Sequence, residues 1–147
     1  ASFWVAAFLP QDAHNEQSAR LLRRMVTDAF PVSAPTLALV EIAGAIARRT
    51  RTARLAEDTV RYLKGEAWLT LSPLSLALSE SAARIAITCT LRGGDAVYAA
   101  LARQENAPLV TLDDEMLQRA GKAVVVMTPE EWLRQNPAAG TDCPPSM

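Results

Sequence analysis

Short apolar runs alternate along this chain with longer stretches in which apolar positions recur every three or four residues. The first kind predicts buried strands and the second amphipathic helices. Ser2 to Leu9 is a short apolar run ended by Pro10 and reads as a buried strand. Asp12 to Phe30 reads as a helix, with Leu21 or Leu22, Met25 and Ala29 on one face and Arg20, Arg23 and Arg24 on others. Pro31 stops it. Val32 to Ala34 is a brief extended piece, and Pro35 opens a second helix that runs to about Arg49. Thr52 to Lys64 is a third helix, closed by Gly65. Trp68 to Leu71 is a short strand, and Ser75 to about Leu91 a long helix. Gly93-Gly94 breaks it, and Asp95 to Gln104 is the next helix. Pro108 to Leu112 is a strand, Asp113 to Ala120 a short helix closed by Gly121, and Ala123 to Met127 a β-branched strand. Thr128-Pro129-Glu130-Glu131 is a capping box with proline at the first helical position.

Strands separated by helices require parallel pairing through crossovers. The expected fold is a three-layer α/β/α sandwich on a mostly parallel sheet. Its domain spans residues 1–134, and a flexible tail of Pro, Gly, Thr and Ser follows at 135–147. The 147 residues suit one domain, and a hydrophobic content of 50% is enough for a single core. The start of the chain, Ala1 to Pro10, lacks a basic flank and is too short to cross a bilayer, so neither targeting nor membrane insertion is expected. Cys89 continues the apolar stripe of Leu78, Ala82 and Ile85 and reads as a core thiol, whereas Cys143 lies in the tail. Two such cysteines form no disulfide framework and suit a reducing cytoplasm.

Charge and composition narrow the chemistry. A formal net charge of −1 gives no general attraction to nucleic acid, so any RNA contact has to come from a local patch. His14 is the only histidine and lies in the polar run Gln11 to Gln17, on a solvated helix face. Histidine acid–base pairs, His-ligated zinc and Ser-His triads are thereby nearly excluded. Chemistry here has to use carboxylates, hydroxyls or lysine. Trp4, Trp68 and Trp132 are scattered and form no visible base-stacking platform.

Three acids stand out by their surroundings. Glu41 is the single charge in Thr36 to Ala47, a window apolar on most helical faces. A carboxylate buried there needs a partner. Two readings stand: a salt bridge to Arg48, Arg49 or another arginine, or a bound cation. Asp95 follows two glycines at a helix start, and Asp113 ends a strand with Asp114 and Glu115 behind it. Each, taken singly, reads as a helix cap. Topology changes the balance, because functional groups of parallel sheets gather at the carboxyl ends of strands and the adjoining helix starts. Converging carboxylates repel unless a cation offsets them, and all-oxygen ligands suit magnesium or manganese. Such an ion can orient water and a phosphodiester. The basic groups Arg48, Arg49, Arg51 and Arg54, and Arg20, Arg23 and Arg24, are mostly solvated faces, and some are candidate phosphate contacts.

The order of these blocks resembles the PIN-domain family. Ala1-Ser-Phe-Trp-Val-Ala-Ala-Phe-Leu-Pro10 resembles its opening, Pro35-Thr-Leu-Ala-Leu-Val-Glu41-Ile-Ala-Gly-Ala-Ile its second block, Leu91-Arg-Gly-Gly-Asp95-Ala-Val-Tyr its third, and Leu109-Val-Thr111-Leu-Asp113-Asp-Glu-Met-Leu its fourth. Together they cover nearly all of residues 1–134, and the nearest resemblance is to VapC-type toxins of bacterial toxin–antitoxin pairs. The resemblance implies a metal-dependent endoribonuclease using magnesium or manganese, often a homodimer, held inactive by a small antitoxin protein. It implies Glu41, Asp95 and Asp113 as metal-site acids, Ser2 and Thr111 as supporting hydroxyls, and Asp114 as an extra acid. Arg48, Arg49 and Arg51 are the expected RNA contacts. The family's first aspartate would stand immediately before Ala1, at the end of a strand whose start also precedes it, and both are expected in the natural protein. Gly44 stands where the family usually carries asparagine. A catalytically inactive PIN-like binding module is the alternative; the retained acids oppose it. A phospho-receiver domain would need an early acidic pair and a late lysine at a strand end; the early acids are absent and Lys122 precedes a strand.

Overall fold

The structure is a computed structural model and describes residues 1–138. The first element is a helix, α1 (Ser2–Phe8), where the apolar run predicts a strand. The reason lies in its surroundings. Phe3, Trp4, Val5 and Ala6 are all buried, so α1 meets core on nearly every side and shows no polar face to set a period. Its last carbonyls are not left open: the Asn15 side chain donates to Ala6 O at 2.9 Å and Ala7 O at 3.3 Å.

Helix α2 (Asn15–Thr27) starts three residues later than the pattern predicts, after a turn in which Asp12 accepts from the His14 amide. It ends where Ala29 turns left-handed, with φ 47. His14 is exposed at the start of α2, as expected. Strand β1 (Val32–Pro35) takes in Pro35 as its last residue, and α3 (Leu37–Thr50) begins after Thr36. Then follow α4 (Ala53–Gly65), β2 (Leu69–Ser72) and α5 (Leu76–Cys89). The break after α5 falls at Thr90, with φ 54, and not at the glycine pair. Gly93 and Gly94 instead form the first turn of α6 (Gly93–Gln104). Strand β3 (Leu109–Val110), α7 (Asp114–Arg119), a 3-10 turn (Ala120–Lys122), β4 (Val126–Met127) and α8 (Pro129–Gln135) complete the described chain. The strand predicted from Ala123 begins only at Val126, because the Ala123 and Val124 amides turn back to bond Ala120 O. The capping box at α8 is present: Thr128 accepts from the Glu131 amide, and Glu131 accepts from the Thr128 amide.

Among the described residues all strand pairing is parallel, in two hydrogen-bonded pairs, β1 with β2 and β3 with β4. Helices cover them as the layers of an α/β/α sandwich. One core gathers α1, α2, α3, β1, β2 and α8 around Leu9, Leu21, Ile42 and Ile46. The other lies between α5, α6, β3 and α7 around Leu78, Ile85, Val97 and Leu101, with Cys89 buried in it. Tyr98 packs against both. Trp4 stacks on Trp68 with ring centres 6.2 Å apart inside the first core, which makes it a packing residue. Among the described residues no helix is long and apolar enough to cross a membrane. Most of the predicted tail, with Cys143, lies outside the described residues.

Candidate active site

Glu41 lies in the second turn of α3, and Ala38, Ile42 and Ile46 draw that helix into the core. Its carboxylate is half-buried, and the arginines that sequence offered as partners do not reach it. The Tyr98 hydroxyl donates to Glu41 Oε2 at 2.6 Å instead. Tyr98 and Asp95 are three apart on α6 and therefore share a face. Gly94 completes the junction: a Cβ there would stand 3.1 Å from Glu41 Oε1, so its absence leaves room for the carboxylate beside α6.

Asp95 is the third residue of α6 and makes no capping bond; the residue at the cap position is Arg92. Arg92 Nε donates to Asp95 Oδ2 at 2.9 Å, and its Nη2 donates to Asp113 Oδ2 at 3.0 Å. The same Nη2 lies 3.6 Å from Glu115 Oε2. Asp113 follows β3 and caps α7, where its Oδ1 accepts from the Met116 amide at 3.0 Å. The cap reading of Asp113 therefore holds for one oxygen, while the other faces Arg92.

Two hydroxyls hold the backbone under Asp113. Ser2 Oγ accepts from the Leu112 amide at 3.2 Å, and Thr111 Oγ1 accepts from the Asp113 amide at 3.1 Å. The two oxygens are 3.5 Å apart. Ser2 and Thr111 thus tie the start of α1 to the end of β3. Asp114 is exposed on the first turn of α7, and among the described residues its side chain has no hydrogen bond or ion pair. Arg48, Arg49 and Arg51 sit at the opposite end of α3, about 12 Å along the axis from Glu41 at the ordinary helical rise. Arg49 is paired there with Asp12 at 2.7 Å.

Contacts bring the three acids to the start of α6: Arg92 bonds both Asp95 and Asp113, and Gly94, beside Asp95, faces Glu41 Oε1. Burial raises the Asp95 pKa, Arg92 lowers it, and the Asp113 charge raises it again. The Tyr98 hydroxyl is pushed far up, first by burial and then by its bond to Glu41, so it stays a donor. Arg92 is held protonated by Asp95, Asp113 and Glu115.

The donor set is all carboxylate and hydroxyl oxygen, which suits a hard divalent ion. Among the described residues, no three His, Cys, Asp or Glu side chains are gathered tightly enough to enclose one as they stand. Glu41 is turned to Tyr98, and Asp95 and Asp113 are turned to Arg92. The residues fit such an ion in chemistry; to hold it, their side chains would have to exchange their present partners.

Arg92, Tyr98, Gly94 and Glu115 are the parts sequence reasoning passed over. The signal for the first two was their spacing of three from Asp95, on either side, along a helix that starts with an acid. Compared with known proteins, the chain matches a protein-family model described as PIN domain over residues 1–122. No curated protein matches it.

Proposed function

The chain belongs to the PIN domain family, whose members are generally nucleases, and from that premise we propose that it is a magnesium- or manganese-dependent endoribonuclease, the toxin of a toxin–antitoxin pair. The observation that carries the reading is the carboxylate set at the start of α6, where Arg92 bonds Asp95 and Asp113 and Tyr98, one turn on, bonds Glu41. Three like charges brought to one place are unfavourable without a compensating cation. Glu41, Asp95 and Asp113 would hold that ion. Its contribution, when bound, is to offset the negative charge that builds up on the phosphodiester as it is cut.

The chain's own residues supply the framework. Tyr98 orients Glu41 through one oxygen and leaves Oε1 toward Gly94. The cap bond to Met116 fixes Asp113, so Oδ2 alone is turned to the cluster. Ser2 and Thr111 hold the peptide units that carry Asp113. Fixed donors of this kind need little rearrangement when charge develops.

An antitoxin and a second copy of the chain are the proposed partners, in the cytoplasm. Support for a protein partner comes from an open groove of about 700 Å³ between α3 and α4, lined by Ala43, Ala47, Ala56 and Val60. Val40, 70% exposed, lies on α3 as well. The test of the enzyme reading is cleavage of a generic single-stranded RNA by the full-length protein. Cleavage should require added manganese or magnesium and stop with EDTA. Cutting that EDTA leaves untouched, or none with either ion, would contradict it.

A further inference from the structure

We propose that Arg92 is a displaceable counter-ion of the acidic cluster, which competes with the divalent ion for Asp95 and Asp113 and, once displaced, grips a phosphate of the RNA. The proposal rests on the nuclease reading above and adds a residue to it.

Asp113 has one oxygen committed to the Met116 amide at 3.0 Å and the other to Arg92 at 3.0 Å. Asp95 Oδ2 is bonded to the same guanidinium at 2.9 Å. A divalent ion held by Asp95 and Asp113 would meet the Arg92 guanidinium at their Oδ2 atoms, so the two cations would compete for the same negative charge. Among the described residues, Arg92 is the only basic side chain ion-paired with Asp95 or Asp113.

Displacement is easy on structural grounds. The Arg92 side chain is 63% exposed, and each of its pairs is open to solvent, where ion pairs are weak. Its backbone is fixed at the start of α6, so a released guanidinium stays at the rim of the site. There it presents a planar fork of donors that matches two phosphate oxygens. The other candidate arginines are poorly placed for this. Arg49 is paired with Asp12 at the far end of α3, and Arg119 is tied to Glu115 and to Thr90 O.

The test uses the full-length protein and Arg92→Gln. Manganese affinity is measured by calorimetry without RNA, and cleavage kinetics are measured at saturating manganese. Loss of the competitor should tighten manganese binding about fivefold. Loss of the phosphate contact should raise KM for RNA about tenfold and leave kcat within about threefold. A purely structural bridge between α6 and α7 predicts the opposite for the metal, because losing it loosens the acids. Manganese binding that is unchanged or weaker in Arg92→Gln overturns the counter-ion role, and an unchanged KM overturns the phosphate role. Should the glutamine variant not fold, Arg92→Lys should shift both quantities the same way by less, because it keeps the charge and loses the fork. A wild-type protein that neither binds manganese nor cuts RNA removes the nuclease reading, and Arg92 with it. One that does both, beside an indifferent variant, removes the Arg92 proposal alone.

Discussion

The Tyr98 ring is wedged between the two cores, and its hydroxyl ends on Glu41 at 2.6 Å. A bond of this kind to a charged oxygen is stronger than a neutral one. Tyr98→Phe keeps the ring and removes the hydroxyl alone, so the fold should survive. Glu41 would then turn freely, and manganese affinity should fall about tenfold or more, as when an orienting partner of a metal ligand is lost. Calorimetry on the folded variant checks this; unchanged affinity would show that Glu41 needs no orienting partner. The three acids were legible in the sequence because their windows are unusual: Glu41 alone among apolar residues, Asp95 behind two glycines, Asp113 at a strand end. Tyr98 and Arg92 were not. Tyr98 occupies an apolar stripe position, and Arg92 looks like any solvated arginine at a helix start. Their spacing of three from Asp95 was the one local signal; the contacts to Glu41 and Asp113 span 57 and 21 residues, which local pattern does not encode.

Element α1 shows where pattern reading fails for a physical reason. A helix buried on nearly all sides and a buried strand have the same apolar signature, and the seven residues of α1 fit either length. Length and caps have to decide, and here the cap is remote from the run itself. Asn15 closes α1 from the start of α2, through the carbonyls of Ala6 and Ala7. Asn15→Ala should therefore cost about 1–2 kcal/mol in a denaturant titration, since it leaves both carbonyls without that donor. Asn15→Asp should cost at least as much, because it puts an acceptor where a donor is needed. An unchanged midpoint in both would mean the end of α1 does not depend on this bond. The elements with their own caps were read nearly correctly. Helix α8 carries its capping box in sequence, and α5 is capped by Ser75 on the Leu78 amide. The glycine pair misled for the converse reason. Glycine usually breaks a helix, yet Gly94 is in one because a side chain there would crowd Glu41.

At the scale of the molecule, the acids sit where elements of both cores meet. Glu41 comes from an α3 anchored in one core, and Asp95 and Asp113 from elements of the other. Tyr98 and the Ser2–Thr111 contact tie the two sides together. The α/β/α layering and the parallel pairing were predictable from alternation alone, since crossovers leave little choice. Arg48, Arg49 and Arg51 are neighbours in sequence, and α3 sets them at the end remote from Glu41. A formal charge of −1 spread over the whole chain hides a local concentration of negative charge. The most direct measurement of the central claim is RNA cleavage by Asp95→Asn at saturating manganese, beside melting curves without metal. Asparagine keeps the shape and removes one charge from the site. The account predicts a folded protein whose melting point moves by less than about 4 °C and whose cleavage falls by at least about a hundredfold. A well-folded Asp95→Asn protein that cuts RNA at the wild-type rate would contradict it.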